Sequence, residues 1–252
     1  MVRDMIIGAQ LYTLREFCQT PEAFAQTLNR VAELGYKTVQ VSGTCAYEPA
    51  WLKEQLRAAG LSCLLTHTPP DRIAKEPEAV CREHSVFDCP YIGIGWYDLR
   101  TGEAVQRFLD EFSGAMQTLA RQGKKLMYHN HDLEFEHVGD QTALALLAEQ
   151  TAPEALGFTL DTYWVQAGGG DPAWWLRHLK GRVPCVHYKD MGYGRKMLPV
   201  GAGNMNFEAI IQASEEAGVD YVFVEQDDCN GKDPFDCLAM SFDYLTACGL
   251  HA

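Results

Sequence analysis

The chain is predicted to be an α/β protein, a closed (β/α)8 barrel formed by residues 1–252 as a single domain. Three observations point there. Short apolar runs of strand length alternate with segments of helical periodicity, eight of each, and such alternation calls for a parallel sheet covered by helices. The length of 252 residues suits eight β/α units. Residues able to bind metal or move protons recur just past the apolar runs, where a barrel gathers its active site.

The elements follow in order. Residues 6–11 form the first strand, apolar on both faces, and residues 12–19 a loop. Thr20-Pro21-Glu22 then supplies a cap, a proline in the first turn and an acid on the positive end of the helix dipole. Phe24, Leu28, Val31 and Leu34 continue at helical spacing until Gly35 stops the helix. Residues 38–41 are the second strand, and Trp51, Leu52, Leu56 and Ala59 mark a helix ended by Gly60. The third strand, residues 61–66, has His67 at its end; one helix is expected over residues 73–86. The fourth strand, residues 91–95, leads to Trp96 and then to a long amphipathic helix over residues 105–122. The fifth, residues 125–128, runs into Tyr128-His129-Asn130-His131-Asp132-Leu133-Glu134-Phe135-Glu136, the stretch most crowded with ligands and proton carriers. A helix over residues 142–149 precedes the sixth strand, residues 157–160, which ends in Asp161. Asp171-Pro172 opens the next helix, and the seventh strand, residues 183–186, ends in His187. A helix over residues 207–217, an eighth strand over residues 221–224 ending in Glu225, and a last helix over residues 234–248 complete the chain. The alternative, an open doubly wound sheet, would need a glycine-rich phosphate loop after the first strand, whereas Gly168-Gly169-Gly170 follows the sixth.

Composition narrows the function. The net charge is -13, with no basic cluster to offset it, so nucleic acid and anionic membrane surfaces are disfavoured as partners and a DNA-repair nuclease with them. No apolar run reaches transmembrane length, and the start lacks the apolar core of a signal peptide. The nine cysteines are scattered without a Cys-x-x-Cys pair. They read as reduced thiols in a cytoplasmic protein.

The strand ends converge on one mouth and offer Gln10, Gln40, His67, Trp96, the 129–136 stretch, Asp161, His187 and Glu225. Four of these, Glu134, Asp161, His187 and Glu225, make a metal site. Three carboxylates and an imidazole suit a hard divalent cation, Mn²⁺ before Mg²⁺, Co²⁺ or Zn²⁺. A cation chelated by a carbonyl and its neighbouring hydroxyl stabilises the enediolate left when a proton leaves the adjacent carbon. Glu134 and Glu225 are the expected acid/base pair, on opposite faces. His67, His129 and His131 are expected to meet substrate hydroxyls, Trp96 and Trp164 to stack on a sugar face, and Lys189 and Arg195 to meet an anionic group or the enediolate oxygen. Asp190 is read as an ion partner for Lys189.

The motifs Tyr128-His129-Asn130-His131-Asp132-Leu133-Glu134-Phe135, Leu160-Asp161-Thr162-Tyr163-Trp164, Val186-His187-Tyr188-Lys189-Asp190 and Val224-Glu225-Gln226 resemble the sugar phosphate isomerase/epimerase family, which has a xylose isomerase-like TIM barrel. Gly8-Ala9-Gln10-Leu11-Tyr12-Thr13-Leu14-Arg15 and Pro199-Val200-Gly201-Ala202-Gly203 fit the same pattern, so the resemblance covers the whole chain. It implies a divalent metal held by an acid after strand five, an acid after strand six, a histidine after strand seven and an acid after strand eight. Residue by residue these are Glu134, Asp161, His187 and Glu225. In the ketose 3-epimerases of the family the first acid lies within strand five; here that strand offers none, so Glu134 or Glu136 must reach back from the loop. The resemblance thus leans toward the branch containing inosose dehydratases. The implied function is a metal-dependent isomerase or epimerase of a keto-sugar or polyol ketone. A dehydratase or 3-keto-glycoside lyase comes second, and a non-catalytic sugar-binding subunit after it. A small sugar is the expected partner. The aromatic residues after strands one and six are expected to serve a homo-oligomer contact.

Overall fold

The computed structural model describes residues 5–252. Met1 to Asp4, part of the start read above for a signal peptide, lie outside the described residues. Eight parallel strands close into a barrel: β1 (Ile6–Gln10), β2 (Thr38–Val41), β3 (Ser62–His67), β4 (Tyr91–Ile94), β5 (Lys125–His129), β6 (Leu156–Asp161), β7 (Cys185–Tyr188) and β8 (Tyr221–Val224). Each pairs with its sequence neighbour, and β8 returns to β1 through Gly8 opposite Phe223. Around them lie α1 (Pro21–Glu33), α2 (Pro49–Ala59), α3 (Pro70–Lys75), α4 (Pro77–Val86), α5 (Gly102–Arg121), α6 (Ala143–Glu149), α7 (Thr162–Ala167), α8 (Pro172–His178), α9 (Phe207–Ala217) and α10 (Pro234–Ala247).

The helix starts follow from local chemistry. Thr20 accepts a hydrogen bond from the Ala23 amide at 3.2 Å, Asp171 from the Ala173 amide at 2.9 Å, and Pro21 and Pro172 fill first-turn positions whose amides would have no partner. The helix expected over residues 73–86 is two, because Pro77 drives Glu76 out of helical geometry (φ -132°, ψ 42°). Residues 11–17 form a 3-10 helix where the last residue of the first strand and a loop were expected. The short helix α7 was also not expected; it forms because Asp161 caps it, accepting from the Trp164 amide at 2.9 Å. Two small antiparallel hairpins, His137–Val138 with Gln141–Thr142 and Asp190–Met191 with Met197–Leu198, decorate the loops after β5 and β7.

The outer core is one apolar layer between strands and helices, and a separate plug of Leu65, Met127, Cys185 and Phe223 fills the barrel. Side chains alternate along a strand, so the residue two positions beyond each plug residue also points inward. Those residues are His67, His129, His187 and Glu225. Along β1, β2 and β6 the same alternation turns Gln10, Gln40 and Asp161 inward, beside partners of that ring: Gln10 opposite Gln40, and Asp161 opposite His187. Between β2 and β3 the register slips by one residue after Val39, which places Leu65 rather than Leu64 beside Gln40. Without that slip His67 would face the helices.

Candidate metal centre

A polar ring caps the apolar plug. Within it His129, Asp161, His187 and Glu225, all buried, bring one ligand atom each to within 4.8 Å of one another. Asp161, His187 and Glu225 are three of the four residues expected to meet here. Glu134 is not in the group, and His129 stands where it was expected. A one-turn 3-10 helix, Leu133–Phe135, folds Glu134 back under the strand. There its carboxyl accepts from the Tyr128 hydroxyl at 2.5 Å and from the His131 amide at 2.8 Å. It is fully buried, and burial raises its pKa to about 7. It props the His129–His131 turn from behind.

Both imidazoles of the group are oriented from outside it. His187 Nε2 is 2.6 Å from Gln40 Oε1, an acceptor, which puts the proton on Nε2 and leaves the Nδ1 lone pair facing Glu225 Oε2 at 2.8 Å and Asp161 Oδ2 at 3.7 Å. His129 Nδ1 is 3.1 Å from the Gly95 carbonyl, so its Nε2 lone pair faces Asp161 Oδ2 at 3.2 Å. Asp161 is held in turn: Oδ1 caps α7, and its amide donates to Asn130 Oδ1 at 2.9 Å. His187 Nδ1 and Glu225 Oε2 make no well-directed hydrogen bond, although they lie 2.8 Å apart and the Lys189 ammonium is 3.0 Å from Glu225 Oε2. Two imidazole nitrogens and two carboxylates converging on one point fit a divalent cation. The mixed nitrogen and oxygen set suits Mn²⁺, Co²⁺ or Zn²⁺ better than Mg²⁺.

Lys189 neutralises the group from above. Its buried ammonium lies 3.1 Å from Asp161, 3.0 Å from Glu225 and 2.9 Å from Asp227. Burial would lower the Lys189 pKa, but these three carboxylates raise it instead. Burial likewise pushes Asp161 and Glu225 up, yet the Lys189 charge, with His129 and His187, holds both well below the usual carboxylate range. Burial lowers His129; His187 is also disfavoured by burial, but the Glu225 charge wins and raises it. Burial and the nearby Glu225 raise Asp227 to about 6.

A cavity of about 740 Å³ opens above the group. Of the residues expected to meet substrate, His67, Trp96, His129, His131, Trp164 and Lys189 line it, as does Glu225. Trp96 is an exposed rim residue. Three ring nitrogens near the cavity, His67 Nε2, His131 Nδ1 and Trp164 Nε1, have no hydrogen-bond partner among the described residues. Burial keeps both histidines neutral, His131 at about 3 and His67 well below its ordinary value. His67 needs the glycines in and just after β4: a Cβ on Gly93 would lie 3.1 Å from its Cδ2, and one on Gly95 2.7 Å from its Nδ1. Arg195 does not line the cavity; its exposed guanidinium pairs with Asp132 at 2.9 Å. Asp190 is not an ion partner of Lys189. Its carboxylate accepts the amides of Met191, Gly201, Gly203 and Met205 at 2.8–3.3 Å and ties down the loop after β7. Sequence reasoning missed Asp227 in the wall and Gln40 as the partner of His187. The signal for Asp227 was its place two residues beyond Glu225.

A family profile described as "Xylose isomerase-like TIM barrel" matches residues 28–238. The fold is similar to that of a sugar phosphate isomerase/epimerase from Parabacteroides distasonis ATCC 8503, with a TM-score of 0.81 and 22% identity, covering 98% of this chain and 94% of that one. It is similar as well to an L-ribulose 3-epimerase, with a TM-score of 0.76 and 14% identity, covering 96% and 94%. A third likeness is to a probable 3-DHS dehydratase from Bacillus anthracis, with a TM-score of 0.73 and 16% identity, covering 96% and 99%. At these identities the likeness is one of fold. No curated protein matches the chain.

Proposed function

The chain belongs to the xylose isomerase-like TIM barrel family, and from that premise we propose that it is a divalent-metal-dependent isomerase or epimerase moving a proton next to the carbonyl of a keto-sugar. The observation that supports this reading most is the buried group of His129, Asp161, His187 and Glu225 at the floor of a solvent-open cavity. These four would hold the cation, Mn²⁺ by preference. When bound, it supplies a Lewis acid that polarises the carbonyl and offsets the negative charge left by proton removal.

The chain's own residues supply the rest. Glu225 reaches both the group and the cavity wall, so its carboxylate takes the proton from the carbon beside the carbonyl and delivers it to the carbonyl carbon for isomerisation; for epimerisation the returning proton comes from water on the opposite face. Lys189 donates from Nζ to the oxygen that gains charge; Asp161 and Asp227 fix its ammonium. His67, His131 and Trp164 offer their unpartnered ring nitrogens to substrate hydroxyls. Glu134, expected as the opposing base, is outside the cavity lining and serves as a prop.

One observation favours dehydration as a second reading. The carboxylates in the cavity wall, Glu225 and Asp227, both follow β8, while the other wall presents imidazoles. A proton taken by Glu225 and passed to the hydroxyl of the neighbouring carbon, which leaves as water, needs no carboxylate opposite. The test is solvent deuterium uptake by a panel of keto-sugars with the Mn²⁺-loaded protein. Uptake at one carbon without loss of water supports the isomerase or epimerase, and a new ultraviolet absorbance from an unsaturated ketone supports the dehydratase. Neither signal, with the metal bound, contradicts both.

A further inference from the structure

The cavity over the metal group has a neighbour. A second chamber of about 560 Å³ lies between the 42–49 loop after β2 and the start of the α3–α4 pair, and Ser42, Gly43, His67, Thr68 and Pro69 wall both chambers. Each chamber alone falls within the range of about 300–1,000 Å³ that encloses a complete small ligand. A single sugar unit above the metal group would leave the side chamber unused.

Its lining combines an apolar wall with charged and polar groups. Tyr47 and Phe87, edge to face with centroids 6.5 Å apart, give an apolar wall. Polar groups come from Arg72, which holds Glu83 through two hydrogen bonds of 3.1 and 2.8 Å. Both side chains are partly exposed, at 41% and 36%, which leaves donors and acceptors free for hydroxyl groups.

Charge decides against a phosphate. Arg72 is matched by Glu83 and lies 3.8 Å from Glu76, and Glu48 adds a further negative charge to the side chamber. In the main cavity Lys189 faces three carboxylates, and Arg195 outside it is paired with Asp132. No surplus cation faces either chamber among the described residues, whereas a phosphate dianion would need one.

We propose that the substrate is a neutral, unphosphorylated glycoside of two units, its keto-sugar unit above the His129/Asp161/His187/Glu225 group and its second unit in the side chamber against Arg72, Glu83, Tyr47 and Phe87. The placement of the keto-sugar unit rests on the proposed function. The side chamber is tested by binding, which does not depend on catalysis.

Titration calorimetry on the Mn²⁺-loaded full chain uses cellobiose, maltose and trehalose, each against glucose, with glucose 6-phosphate as the charged probe. At least one disaccharide is expected to bind tenfold or more tighter than glucose, and glucose 6-phosphate no tighter than glucose. Thr44→Phe, which narrows the side chamber, and Arg72→Ala, which removes its polar wall, are each expected to erase most of that advantage. Both should leave glucose binding within twofold. Disaccharides no tighter than glucose, or an advantage that survives both substitutions, would overturn the second subsite. Tighter binding of glucose 6-phosphate would overturn neutrality. Loss of deuterium uptake with the disaccharide preference intact would instead count against the proton-transfer reading alone.

Discussion

His129 and Glu134 exchange the places that the sequence suggests for them, and the reason lies in the parity of one strand. Met127 points into the barrel plug, so the inward position two residues on belongs to His129. A strand that ends at Tyr128 puts His129 in the loop, beside Glu134. The bond between Tyr128 and Glu134 is tertiary, and no local pattern announces it. The other three members were legible because an apolar run leads directly into each of them. The burial of Glu134 has a measurable price in stability. A carboxyl held at about 7 instead of its ordinary 4.5 resists ionisation, a cost of about 3 kcal/mol in the charged form. The folded-state pKa is raised, so this cost is absent below about pH 4.5, grows as pH rises, and is fully felt above about 7. Denaturant titrations of wild type and Glu134→Gln across pH 4.5 to 8 are expected to differ in slope, the variant losing less stability as pH rises. Parallel curves would mean that Glu134 ionises freely.

At the scale of elements, the strands were legible and the loops that finish the site were not. Short apolar runs and the glycine stops located all eight strands to within about two residues. The register slip between β2 and β3, by contrast, aims His67 at the site and left no mark in the spacing. The same holds for the loop after β7, where Asp190 gathers four amides from residues 191–205. Reading Asp190 as a partner of Lys189 assumed that neighbours in sequence share a face; in this extended segment they point apart. Asp190→Ala leaves those amides without their acceptor and is expected to cost about 2–3 kcal/mol. Differential scanning calorimetry should show a fall in Tm of roughly 5–10 °C. An unchanged Tm would mean that the loop holds itself.

At the scale of the molecule, the barrel brings four residues from β5 to β8 and its end into one buried group, and surrounds it with neutral imidazoles, an indole and one ammonium. Closure makes these distant residues neighbours, which is why the fold class alone located most of the site. The net charge of -13 favours capture of a cation over capture of a polyanion. No helix among the described residues is long and apolar enough to cross a membrane. The central claim is that His129, Asp161, His187 and Glu225 form a metal centre that Glu134 does not join. Metal content by elemental analysis after Mn²⁺ loading and desalting tests it most directly, in wild type, His129→Ala and Glu134→Gln, with circular dichroism to verify folding. The expected result is about one Mn²⁺ per chain in wild type and in Glu134→Gln, and at least a tenfold loss of affinity in folded His129→Ala. Full metal in His129→Ala with none in folded Glu134→Gln, or none in wild type, would contradict it.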